Sequence, residues 1–188
     1  IDPSKPMIAL TYDDGPGEHT DRLLKLFERV GGACTLFQLG VNIENKDPDH
    51  KILKKAVSTG MELASHSYNH PNLLTLSKKK VIEQNHRTDE AFKKAVGFAP
   101  RLYRPPYGAG NGRTTKLFNK SAIFWSIDTY DWRHKSAKHL AKFITSQKKL
   151  VSAVVLMHDI HKSTVEASMK AVPSLKKKGY QLVTVSEL

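Results

Sequence analysis

Met7-Ile8-Ala9-Leu10-Thr11-Tyr12 is a short apolar run of strand formers, and Asp13-Asp14-Gly15-Pro16 ends it with acids and turn residues. Thr20 to Val30 comes next, with Leu23, Leu24, Phe27 and Val30 on one face and Gly31-Gly32 as a stop. That pattern predicts an amphipathic helix with glycine at its C-terminus. The order strand, polar loop, helix decides the fold, because the alternation continues to the end of the chain. Ala33 to Leu39 is a second strand, Ile52, Leu53, Ala56 and Val57 mark a second helix ended by Gly60, and Met61 to Ala64 is a third strand. Ser77 to Val96 is a long helix stopped by Gly97 and Pro100, and Arg101-Leu102-Tyr103 is a fourth strand. Gly108 to Gly112 is a loop, Thr114 to Lys120 a short helix and Ala122 to Ile127 a fifth strand. Ala137 to Ser146 is helical and Ala153 to Met157 is a sixth strand. Val165 to Lys178 is helical with Pro173 as a kink or break, and Tyr180 to Val185 is a seventh strand.

Such alternation predicts α/β packing around a mostly parallel sheet. No linker-like stretch or internal repeat divides the chain, so residues 1–188 read as one domain. Seven β units are too few for an eight-fold barrel and fit an incomplete (β/α)7 barrel. A flat doubly wound sheet is the alternative, but its glycine-rich nucleotide-binding fingerprints are absent.

The 188 residues carry 30 Lys+Arg against 18 Asp+Glu, a formal charge of +12, with 39% hydrophobic residues. The apolar content excludes a disordered chain, and no apolar run is long enough to span a bilayer. The charge favours an anionic partner: nucleic acid, anionic lipid or an acidic wall polymer. No Arg-rich arm, zinc finger or RNA-binding aromatic signature supports nucleic acid. Lys78-Lys79-Lys80 and Lys176-Lys177-Lys178 read as solvated helix faces. The single cysteine, Cys34, excludes an internal disulfide framework and reads as a small buried strand residue. Ile1-Asp2-Pro3-Ser4 opens without an initiator Met, as in a trimmed fragment whose export signal or anchor would lie upstream.

The reactive residues cluster at strand ends. Asp13 and Asp14 end the first strand, and His66 and His70 follow the third. Arg104 and Tyr107 follow the fourth, Asp128 and Asp131-Trp132 the fifth, and His158-Asp159 the sixth. In a parallel barrel those ends share one rim, where chemistry is built. Two adjacent carboxylates repel unless a cation or an arginine neutralises them, which points to a metal. His66 and His70, four apart on one helical turn, can face a common point. Two imidazoles and one carboxylate make a three-ligand set with open positions, as catalytic zinc requires. The other carboxylate is then free to take a proton from metal-activated water. Arg104 can orient that acid, His158 can protonate a leaving group, and Asp131 can hold the His158 ring.

These residues resemble the five motifs of the NodB-homology polysaccharide deacetylases, carbohydrate esterase family 4. Thr11-Tyr12-Asp13-Asp14-Gly15-Pro16 is similar to the first, His66-Ser67-Tyr68-Asn69-His70 to the second and Arg104-Pro105-Pro106-Tyr107-Gly108 to the third. Asp128-Thr129-Tyr130-Asp131-Trp132 is similar to the fourth and Leu156-Met157-His158 to the fifth. Tyr12 departs from the usual Phe, a packing change. The resemblance implies a distorted (β/α) barrel and metal-dependent deacetylation. It implies Asp13 as base and Asp14, His66 and His70 as ligands of one divalent ion, zinc first, with cobalt, nickel or manganese as alternatives. It further implies that Arg104 supports Asp13, that the Tyr107 backbone N–H holds the oxyanion, and that His158 is the acid, tethered by Asp131. Tyr107, Trp132 and Leu156 would then contact substrate, Trp132 and Leu156 by lining the acetyl pocket.

The segments Trp132-Arg133, His158-Asp159-Ile160-His161 and Val183 to Leu188 look like those of Gram-positive peptidoglycan deacetylases. Together with the charge, they favour N-acetylglucosamine of peptidoglycan as substrate. The protein is expected outside the cell or at its surface, as a monomer. Chitin oligomers and acetylated xylan are the alternatives. A non-haem iron oxygenase would share the ligand set but leave the second Asp and His158 unexplained. A non-catalytic glycan- or nucleic-acid-binding module would be expected to lack motif residues, and none is missing.

Overall fold

The structure is a computed structural model that describes residues 1–2, 4–148 and 150–188. β1 (Met7–Asp13) is central. On one side lie β2 (Thr35–Gln38), β3 (Glu62–Ser65), β4 (Leu102–Tyr103) and β5 (Ser121–Ala122), and on the other β7 (Ala153–His158) and β6 (Ile127–Asp128). All pairings are parallel, with Asp13 in register with both Phe37 and His158. β8 (Gln181–Val183) pairs with Met7–Ala9, while β2 takes Thr11–Asp13 of the same strand. Two strands thus share one edge of β1, which distorts the barrel. The alternating sequence has folded as a distorted, incomplete (β/α)7 barrel.

The period-2 rule sorts β1. Ile8, Leu10 and Tyr12 join the main core with Leu23 and Phe27 of α1 (Thr20–Val30), Leu140 and Ile144 of α6 (Ala137–Ser146), and Val165 and Leu175 of α7 (Lys162–Lys177). Thr11 and Asp13 face the other way, towards Arg104. The Tyr12 hydroxyl, extra relative to Phe, is satisfied by Ser168 Oγ of α7 at 2.9 Å. Cys34 is fully buried just before β2, with Met61 as neighbour.

Three expectations need correction, and one helix lies outside the sequence reading. The segment read as one strand over Ala122 to Ile127 is split into β5 and β6. Ile123 N–H still bonds Tyr103 and Ser126 N–H already bonds Val154, so the chain passes from one neighbour strand to the other. Between them, the carbonyls of Ile123 and Phe124 accept bonds from Arg104 instead. Pro173 does not break α7: it sits on the exposed side, while Val172 and Leu175 hold the buried side in place. His66 to His70 is not a helical turn; Ser67 and His70 are left-handed, with φ of 71° and 63°. A further helix, α2 (Gly40–Lys46), precedes α3 (Lys51–Ser58). α4 (Lys78–Val96) is capped by Ser77, and α5 (Gly112–Phe118) by Asn111.

Candidate functional site

The strand ends converge on one cavity of about 470 Å³. It is lined by Asp13, Asp14, His66, His70, Tyr107, Trp132, Leu156 and His158 among the residues singled out from sequence. Arg104 and Asp131 lie behind the wall, both fully buried.

Asp14 Oδ1 stands 3.4 Å from His66 Nε2 and 3.4 Å from His70 Nε2. The three donor atoms all lie within 4.8 Å of one another. Donors bound about 2.1 Å from a tetrahedral ion stand about 3.4 Å apart, so the spacing fits. The tautomer fits too. His66 Nδ1 lies 2.8 Å from the Arg104 carbonyl, which can only accept, so Nδ1 carries the proton and Nε2 presents a lone pair. Burial pushes His66 down to about 3, keeping it neutral. Asp14 Oδ1 is buried with no hydrogen-bond partner among the described residues. An orphaned carboxylate oxygen facing an imidazole lone pair is repulsive unless a cation sits between them. The Tyr107 ring packs on His70 with centroids 4.5 Å apart.

Asp13 is buried beside this triad. Its Oδ1 accepts a 2.7 Å bond from Arg104 Nη1, which also donates to Thr11 Oγ1 at 2.8 Å. The guanidinium lies over the Phe37 ring at 4.0 Å, and its Nε and Nη2 donate to the Ile123 and Phe124 carbonyls. Arg104 thus makes four hydrogen bonds, one of them to Asp13, which helps the fold tolerate the buried charge pair. Burial pushes the Asp13 carboxyl up, and Arg104 and His158 draw it back.

His158 ends β7 across the cavity. Asp131 Oδ1 lies 2.8 Å from His158 Nδ1, and Asp131 Oδ2 accepts the His158 backbone N–H at 2.7 Å and the Thr164 hydroxyl at 2.7 Å. Burial alone would lower His158, but the bond and charge of Asp131, with Asp13 and Asp14 beyond, raise it to about 9. It is therefore a protonated imidazole at neutral pH, aimed by a fixed carboxylate.

Residues 1–123 match the family described as Polysaccharide deacetylase. The chain belongs to that family. It is 32% identical over 189 residues to the peptidoglycan-N-acetylmuramic acid deacetylase PdaC of Bacillus subtilis, covering all of this chain and 40% of that protein. It superposes on the solved PdaC structure with a TM-score of 0.94 over 100% of this chain and 91% of that one. It is 36% identical over 182 residues to the peptidoglycan-N-acetylglucosamine deacetylase PgdA of Listeria monocytogenes, covering 96% of this chain and 38% of that protein. It is 34% identical over 196 residues to a chitin deacetylase of Colletotrichum lindemuthianum, covering 96% and 78%. The chain therefore spans about two fifths of PdaC and of PgdA.

Several residues of the site have no role assigned from sequence. Trp125 and His161 line the cavity, as does Asp128, which sequence placed only at a strand end. Thr11 and Thr164 complete the Arg104 and Asp131 networks. Asp159 is fully buried, and burial, with the Asp14 and Asp13 charges, pushes it up to about 7. Thr11 and Asp128 lie inside the motifs and Asp159 and His161 in the segment after the sixth strand, while Trp125 and Thr164 have no sequence signal beyond proximity to them.

Proposed function

We propose that this chain hydrolyses acetamide groups on N-acetylglucosamine residues of peptidoglycan, at the cell surface, with one divalent ion, zinc, held by Asp14, His66 and His70. The observation that carries this reading is the orphaned Asp14 oxygen between two imidazole nitrogens, beside a second acid paired with a buried arginine. The ion supplies Lewis-acid charge, which makes water easier to deprotonate and an acyl carbonyl easier to attack. Asp13 takes the proton of the attacking water, and Arg104 holds its carboxylate at the reacting face. The Tyr107 backbone N–H donates to the oxygen that becomes negative, and its left-handed φ of 60° turns that peptide at the cavity wall. His158 gives its proton to the departing amine while Asp131 stabilises the imidazolium. Trp132 and Leu156 enclose the acetyl methyl group.

Charge supports an anionic polymer. Lys78, Lys79, Lys80, Arg113, Arg133, Lys135, Lys138 and Lys162 are exposed on the rim loops and first helical turns, and make no ion pair with the described residues. No acid occupies the first turn of any helix from α2 to α7. Cations there oppose the helix dipole, so the arrangement is locally unfavourable and suits a polyanionic substrate. The test is acetate release from peptidoglycan, chitin oligomers and acetylxylan after chelation and zinc reconstitution. Peptidoglycan should be preferred, with a KM that rises several-fold from about 50 to about 500 mM salt, while KM for neutral chitin oligomers stays flat. Faster turnover of chitin or xylan would replace the substrate, and zinc-independent acetate release would remove the metal.

A further inference from the structure

His158-Asp159-Ile160-His161 carries a second acid that the proposed chemistry does not use. Asp159 is fully buried, in the segment joining β7 to α7. One oxygen accepts the Thr20 hydroxyl, and Thr20 Oγ1 in turn accepts the Gly17 backbone N–H at 2.8 Å. The other oxygen has no hydrogen-bond partner among the described residues. Both lie against Gly15, where an added Cβ would meet them at 2.8 Å, and a Cβ on Gly17 would meet Ile160 at 3.2 Å. Contact with Asp159 and with Gln38 Nε2 therefore requires glycine at position 15, and Gly17 stands close to Ile160, the next residue after β7.

The same loop is tied on its opposite side. Asp14 N–H bonds the Phe37 carbonyl, Leu39 N–H bonds the Gly15 carbonyl, and Asn42 Nδ2 donates to the Asp14 carbonyl at 2.7 Å. Between the two sets of ties, Asp14 adopts a φ of 72°, which a non-glycine residue holds only under constraint. A carboxylate kept fully buried with one oxygen unpartnered is unfavourable for the fold alone, since a smaller neutral acceptor would satisfy Thr20. We propose that Asp159 is a positioning residue: through Thr20 it fixes the loop that aims Asp14 at His66 and His70. The assignment rests on the metal site proposed above. It links the strand that carries the acid to the loop that carries the ligand, so both move as one unit.

The test reads zinc affinity, by competition with a chromophoric chelator, alongside melting of the metal-free chain. Asp159→Ala and Thr20→Val should each weaken zinc binding about tenfold. The double variant should be no weaker than Asp159→Ala alone, because the pair acts as one connection. Thr20→Ser, which keeps the hydroxyl, should bind zinc as the parent does. Unchanged zinc affinity in Asp159→Ala, with only the melting temperature lowered, would overturn the assignment. If that variant does not fold, equal zinc affinities for Thr20→Val and Thr20→Ser overturn it instead. A parent chain that binds no zinc defeats the metal reading, and with it this inference, before any variant is made.

Discussion

The two ends of the barrel use the same backbone conformation for different ends. At the end away from the cavity, left-handed residues close helices: Gly31, Gly60, Gly97 and Gly179 stand at or just after the ends of α1, α3, α4 and α7, with φ between 61° and 89°. An added Cβ at any of these four would meet nothing within 4 Å. At the cavity end the left-handed positions include Asp14, Ser67, His70, Tyr107 and Tyr130. Glycine would relieve each of these, yet the sequence keeps the side chain, at about 1–3 kcal/mol of strain per residue. Glycine takes four of the helix ends, with Asn119 after α5 and Ser152 before β7 as left-handed exceptions, whereas at the cavity end side chains are kept at five left-handed positions.

That contrast can be broken most severely at the rim. His66→Ala should lose zinc and reduce acetate release to background, measured by elemental analysis and acetate assay. Asp13→Asn should keep zinc and lose about 10²–10⁴-fold in kcat. Zinc retained at full occupancy in His66→Ala would exclude it as a ligand, and an active Asp13→Asn would end its role as base. Arg104→Met comes next, because it leaves Asp13 buried and unpaired. Urea denaturation should show a loss of about 3–5 kcal/mol. A change below about 1 kcal/mol would mean that Asp13 finds another partner or is neutral.

A smaller effect separates the two protonation states. The acid role proposed for His158 needs its protonated form, and its partners raise it to about 9 without an ion. Activity should therefore hold through neutral pH and fall as pH rises through that value. A bound divalent cation repels the imidazolium and moves the fall lower. Asp131→Asn removes the charge that raises His158, so the alkaline limb should move further down. A pH profile of kcat/KM that Asp131→Asn leaves in place would detach Asp131 from this function.

How much of this was legible in sequence follows from the same contrast. The rim stands out because polar residues interrupt apolar runs at strand ends, as Asp13-Asp14 does after Met7 to Tyr12, and His158 after Ala153 to Met157. The alternation that gives the barrel is equally plain. The split of the fifth strand is not, because Ile123-Phe124-Trp125 is as apolar as any strand, and only the distant Arg104 draws two of its carbonyls out of the ladder. The His66 to His70 spacing fits a helix as well as the left-handed turn that forms, since both bring the imidazoles together. Pro173 is tolerated because tertiary packing of α7 outweighs one lost hydrogen bond. Asp14 Oδ1 reaches both imidazoles at 3.4 Å while Asp13 Oδ2 stands 3.7 Å from His66, and no spacing rule reports that difference.

The smallest effect is the sharpest probe of the comparison, because it changes a left-handed residue at each end. Gly97→Ala meets no atom, so its only penalty is the dihedral: about 1 kcal/mol, a fall of about 2–4 °C in Tm, with kcat/KM unchanged. Tyr107→Gly makes the reverse change at φ 60°, on a residue 70% exposed. Relief of strain and the greater freedom of the unfolded chain nearly offset, so stability should stay within about 1 kcal/mol. Yet kcat/KM should fall, because the ring that packs on His70 is gone and the 107 peptide is free to turn. If Tyr107→Gly instead retained full activity, the strain at the rim would be incidental, and the two ends of the barrel would differ in composition but not in purpose.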